Sequence, residues 1–155
     1  MAGQYRVIDQ VIMIFRTYFQ MFFNFIYAEV CIRISKSSAE GIKSWLKFNG
    51  LNYVLVLFIL VCFYFFTNNI LGYFKIDMNT KTNLVLLFRA GLLIPIFMGI
   101  SFALKQLMFS FNKNKEYIRI TILSTVISLI TMFFLISRIG VVGSFITTII
   151  IELLI

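Results

Sequence analysis

The 155-residue chain has no histidine, two cysteines, one proline and six acidic residues. Without imidazole it lacks the commonest metal ligand and the side chain that most readily moves protons near neutral pH. Cys31 and Cys62 stand apart among apolar residues rather than as a CxxC pair, so no zinc site and no haem attachment site is expected. The acids Asp9, Glu29, Glu40, Asp77, Glu116 and Glu152 are scattered singly, which leaves no carboxylate cluster for a di-metal or glycosidase site. Charge of either sign is scarce: only 13% of residues are charged, about half of what a soluble surface carries. No cofactor and no metal is expected.

Apolar residues are abundant instead. They make up 61% of the chain, with 19 phenylalanines and a mean hydropathy of +0.97. That excess excludes a water-soluble globule, because far more apolar surface is present than one small core can hide. Helices of about 20 residues crossing hydrocarbon would consume it in about five passes. The expected fold is therefore all-α, a polytopic transmembrane helical bundle forming one domain over 1–155, with the lipid bilayer as its first partner. The net charge of +8 fits this picture, since Lys and Arg gather in the short cytoplasmic loops of membrane proteins. Nucleic acid is not an expected partner: the basic clusters are flanked by apolar spans rather than interleaved with stacking aromatics.

The opening stretch carries Arg6, Asp9 and Arg16, which a cleavable secretory leader would not, so the first span belongs to the working protein. The spans are read at about 4–32, 51–71, 83–111, 117–136 and 141–155. Between the first two, Arg33, Lys36, Lys43 and Lys47 stand against Glu40 in a connector rich in serine, and Ala39 to Phe48 reads as a short interfacial turn anchored by Trp45. The next connector, from Gly72 to Thr82, carries Lys75, Asp77 and Lys81, with Asn79 and Thr80 as turn formers. A basic turn from Asn112 to Glu116 with Arg119 follows the third span. The positive-inside bias puts the two heavily basic connectors in the cytoplasm and the N-terminus outside. That orientation, together with a fifth span short for a crossing, predicts a section of a longer protein.

Two stretches resemble a known family. AGQYRVIDQVI, from Ala2 to Ile12, resembles the VGxYSxAxKI stretch that begins the eighth span of O-antigen and lipid-linked oligosaccharide flippases. LISRIGVVGSFIT, from Leu135 to Thr147, is similar to the LIPxFGxxGAAIAT tag between spans eleven and twelve of that family. The order of spans and basic loops between them also fits, so the resemblance covers essentially the whole chain. Arg6, Ser137, Ser144 and Phe145 depart from the pattern. The family belongs to the multidrug, oligosaccharidyl-lipid and polysaccharide exporter superfamily, whose members have two six-helix lobes and work by alternating access. The resemblance implies most of a second lobe, spans eight to twelve, in a bacterial or archaeal inner membrane. It implies transport of a polyprenyl-pyrophosphate-linked oligosaccharide and an N-terminal lobe as partner.

Ionisable groups inside a span are costly and tend to face a cavity or a partner. Asp9, Arg16, Gln20, Asn24 and Tyr27 recur at spacings of seven, four, four and three, along one helical stripe that should turn from lipid. Under the resemblance, Arg16, Gln20 and Asn24 would line a cavity where Arg16 attracts the phosphates of the cargo; the bland alternative is a polar seam against a neighbouring helix. Arg89 is either a second anion site or an arginine snorkelling to the outer headgroups, and Lys105 is expected to snorkel at the inner side. Glu29 should pair with Arg33 one turn on; unpaired, it would be a candidate for proton or cation coupling. Gly91, Pro95 and Gly99 share a face of the third span, where Pro95 predicts a kink that is either static or a hinge. Gly140, Gly143, Ser144 and Thr147 predict close approach of two backbones. A drug or metabolite exporter of the same superfamily is the nearest alternative, and would favour cavity acids over bases. An envelope-glycan enzyme of the membrane is the more distant one, but no set of general acid, base and nucleophile is present, so no catalytic residue is expected.

Overall fold

The computed structural model describes residues 2–73 and 78–154, and all seven described elements are α-helices. They are α1 (Ala2–Lys36), α2 (Ser38–Phe65), α3 (Thr67–Tyr73), α4 (Met78–Gly91), α5 (Leu93–Ser110), α6 (Asn114–Ile139) and α7 (Val141–Leu154). Four spans among the described residues are long and apolar enough to cross a membrane: α1, α2, α4 with α5 as one rod from Leu84, and α6; α7 is a shorter apolar helix. The chain is a multi-pass helical membrane protein. Of the outer connector, Lys75 and Asp77 lie outside the described residues, as does Ile155.

The first basic connector is not a loop. α1 has 35 residues, about 52 Å at 1.5 Å per residue, so it outruns a hydrocarbon layer about 30 Å thick and carries Arg33 and Lys36 beyond it while still helical. Only Ser37 separates it from α2. The Ser37 backbone is extended and its hydroxyl accepts from the Glu40 N–H at 3.5 Å, a capping-box spacing that starts the next helix at once. Gly41 makes the reversal possible: a Cβ there would lie 2.7 Å from the Ile34 Cα. The interfacial turn expected from Ala39 to Phe48 is thus the first turns of α2, and Trp45 donates its indole N–H to the Ala103 carbonyl on α5 at 3.0 Å.

The remaining breaks have local causes. At Phe66 the helix interrupts, and the Thr67 hydroxyl donates to the carbonyls of Phe63 and Tyr64 at 2.8 and 2.9 Å. Asn79 and Thr80, expected in a turn, lie in the first turn of α4. The third span divides at Leu92, one turn before Pro95, which has no N–H to offer the Gly91 carbonyl; the Leu92 N–H still reaches Phe88 at 3.1 Å, so the rod bends without parting. Gly140, at φ +59°, reverses the chain in one residue, and a Cβ on Gly143 would sit 2.6 Å from the Leu135 carbonyl, so the close approach expected of these small residues occurs between α6 and α7.

α5 is the central element, packed against α1, α2, α6 and α7. It runs parallel to α1: Gly91 meets Ile8, Gly99 meets Phe19, and the Gln106 amide reaches the Phe23 carbonyl. The Cys31 thiol lies 3.5 Å from the Ser110 hydroxyl, so the ends of α1 and α5 coincide. The basic groups Arg33, Lys36, Lys43, Lys47, Lys113, Lys115 and Arg119 consequently gather at one end of the bundle.

Candidate functional site

The small residues on the rod of α4 and α5 decide what α1 can present. Gly91 and Gly99 are buried, and Cβ atoms there would come within 2.8 Å of Ile8 and 3.0 Å of Phe19. With Pro95 between them they form a smooth groove that takes the apolar face of α1, including Phe15, Phe19 and Ile26. Docking that face turns the opposite one outward. Asp9, Arg16, Gln20 and Asn24 are all exposed. A span of amide and charged side chains open to hydrocarbon would be expensive, so this face requires water or another protein surface beside it.

Arg16 has a partner that its own helix does not supply. Its guanidinium lies 3.7 Å from the Glu152 carboxylate of α7, with the arginine side chain 55% exposed and the glutamate 11%. Glu152 is eleven residues into α7, about 16 Å from its start, so the pair sits deep in the span. The Ser101 hydroxyl and, from beyond ion-pair distance, the Lys105 charge, both on α5, act on the same carboxylate. The cluster therefore holds two cations, Arg16 and Lys105, against one acid.

Lys105, expected to snorkel at the inner side, is half-buried and reaches aromatic rings near that end of the bundle. Its ammonium lies over the rings of Tyr117, Phe109, Phe102 and Phe23 at 5.4, 5.7, 5.8 and 6.0 Å. Rings from three helices thus offer their negative faces to one cation. Phe23 belongs to this ring, whereas Phe65 and Phe66 are exposed.

Arg89 lies apart from this cluster. Its guanidinium stacks on Tyr64 of α2 at 4.4 Å, and its Nε is buried with no hydrogen-bond partner. Arg16 turns to α7 and Arg89 to α2, so these two cations do not share one site. Glu29 and Arg33 form the ion pair their spacing predicts, at 2.7 Å, which leaves Glu29 engaged rather than free.

Beside the charged cluster, a polar clamp ties α1, α2 and α5. Gln106, buried on α5, donates to the Phe23 carbonyl at 3.3 Å and accepts from Asn49 at 3.0 Å; Asn49 also reaches the Trp45 carbonyl, and the Tyr18 hydroxyl donates to Asn52. A cavity of about 10 Å³ lies among Phe19, Asn49, Asn52 and Gln106, too small for any cargo. Sequence reasoning missed Glu152 because it stands alone in an apolar run, 136 positions from Arg16. A lone acid in such a run was itself the signal, since an intramembrane carboxylate calls for a partner. No protein-family model, curated protein or solved structure matches this chain.

Proposed function

We propose that this chain is part of an alternating-access transporter that flips a polyprenyl-pyrophosphate-linked oligosaccharide across a bacterial or archaeal inner membrane, making and breaking no covalent bond. One observation carries the reading: Arg16, Gln20 and Asn24 form an exposed polar stripe along a helix that is otherwise built for hydrocarbon. Such a stripe suits the wall of a hydrophilic cavity, completed by a second lobe, in which the anionic head travels while the lipid tail stays in the bilayer. The likeness of Ala2 to Ile12 and of Leu135 to Thr147 to the flippase patterns supports the same cargo class. By the positive-inside bias the end bearing Lys43, Lys47, Lys113 and Lys115 faces the cytoplasm. The interruption at Leu92, one turn before Pro95, supplies a flexing point, and Gly99 on its far side packs against Phe19, so that part of α1 would move with α5.

Glu152 lends weight to a second reading, an exporter of cationic drugs, because such cargo needs an intramembrane acid. Two cations face that acid, however, and this balance favours an anionic cargo. The test is movement of a fluorescent lipid-linked oligosaccharide in proteoliposomes of the protein as its reading frame encodes it. Arg16→Gln should lower the rate at least about tenfold, the order expected for losing a charge-assisted contact to phosphate. Equal rates would remove Arg16 from the path, and export of a cationic dye in place of the lipid would select the second reading.

A further inference from the structure

The cluster around Glu152 has a charge balance that asks for something more. Glu152 is almost enclosed, while Arg16, 3.7 Å away, is more than half exposed, so the arginine offers its remaining donors to the open polar face of α1. At 3.7 Å the contact is an ion pair without the short geometry of a strong charge-assisted bond. A second cation, Lys105, lies beyond ion-pair distance of the same carboxylate but near enough for its charge to act on it, and its ammonium sits among four aromatic rings. One acid therefore serves two cations, and the cluster carries a net charge of plus one at a depth where unbalanced charge is costly.

We propose that Glu152 is a displaceable internal anion: it occupies Arg16 when the site is empty and yields it to an incoming phosphate or pyrophosphate group, shifting its pairing to Lys105. The proposal rests on the cavity assignment of Arg16 and adds what fills that site before cargo arrives. It accounts for three features together: the enclosure of Glu152, the openness of Arg16, and the presence of a caged lysine with no acid on its own helix turn. The incoming anion completes the balance, with one negative group for each cation. Because Glu152 lies on α7 and Arg16 on α1, the exchange breaks a link between these helices only when an anion is present to replace it.

Binding of inorganic pyrophosphate to the intact protein in detergent, followed by thermophoresis, tests the exchange without any transport. Glu152→Gln removes the competing anion and should tighten pyrophosphate binding by about tenfold. Glu152→Asp keeps the charge and should leave affinity within about twofold of the parent, which separates competition from loss of packing. Arg16→Gln should abolish binding, and Lys105→Gln should weaken it. Unchanged or weaker binding in Glu152→Gln, with its melting temperature preserved, would overturn the proposal. If that variant is destabilised, a parent affinity that does not fall when acetate is added as a competing carboxylate would overturn it equally. Farnesyl pyrophosphate in the same micelles separates the sources of the anion: tighter binding than inorganic pyrophosphate points to a lipid head, and equal binding to a free anion. Should Glu152→Gln respond as expected while no lipid-linked oligosaccharide moves in proteoliposomes, the flippase reading falls and the anion exchange stands.

Discussion

The rod formed by α4 and α5 and the helix α6 have similar apolar character and opposite situations. In the Leu84–Ser110 span 44% of the most hydrophobic stretch is buried, whereas in α6 the share is 6%. Hydrophobicity thus says nothing here about which helix is inside, because the surrounding lipid is as apolar as any core. What the buried rod has more of is small and hydrogen-bonding residues beside its buried apolar ones, Ile94 and Met98 among them. The buried positions of α5 include Pro95, Gly99, Ser101 and Gln106; those of α6 are Ser124 and Ser128 alone; those of α2 begin with Gly41, Ser44 and Asn52. Leu129, Ile130 and Phe133 of α6 are exposed, as suits a face toward lipid or toward another lobe.

That contrast can be broken by substitutions whose costs should follow contact rather than hydropathy. The largest effect is expected for Gly41→Leu, because the new side chain would meet the Ile34 backbone as well as the Ile34 side chain. A loss of about 3 kcal/mol is the scale for such overpacking, read as a fall in melting temperature and a broadened peak on detergent size exclusion. Gly143→Leu faces the same obstacle at the Leu135 carbonyl and should pry α7 from α6, which cross-linking between cysteines placed on the two helices would report as a lost product.

Gln106→Leu comes next. It keeps the volume and raises hydropathy, yet removes the bonds to the Phe23 carbonyl and to Asn49, so it should destabilise by about 1 kcal/mol, within the range measured for polar contacts between membrane helices. A stabilised variant in thermal melts would contradict the view that polar groups hold α1, α2 and α5 together. Glu29→Gln dissolves an ion pair whose partners are both about half exposed, and the expected change is no more than about 0.5 kcal/mol. The smallest effect belongs to Leu129→Ala on the open face of α6: a melting temperature within error of the parent is expected, and a loss like that of a buried leucine would reveal a covering surface.

Several of these features could be read in the primary structure and several could not. The break before Pro95, the close backbone approach at the small residues after Gly140 and the Glu29–Arg33 pair follow from local chemistry, and the sequence reading anticipated each. The hinge at Ser37 was equally local, since serine followed three positions later by Glu40 is a helix start, but the serine-rich, basic composition of 33–47 suggested a loop instead. The surroundings of Lys105 could not be read for a different reason. Snorkelling is the default for an isolated lysine near a helix end, and only the convergence of Phe23, Phe109 and Tyr117 from other turns and helices gives its charge an alternative.

Composition alone settled the solvent: a chain this apolar and this poor in charge must satisfy its backbone within helices surrounded by hydrocarbon. The breaks between those helices were likewise written locally, in proline, in glycine and in one capping serine. Which charge answers which was decided by the tertiary structure, because the pairing of Arg16 with Glu152 depends on how α1 and α7 are each rotated against α5. That rotation is set by where small residues let backbones close together, a property of surfaces brought into contact and not of any single segment.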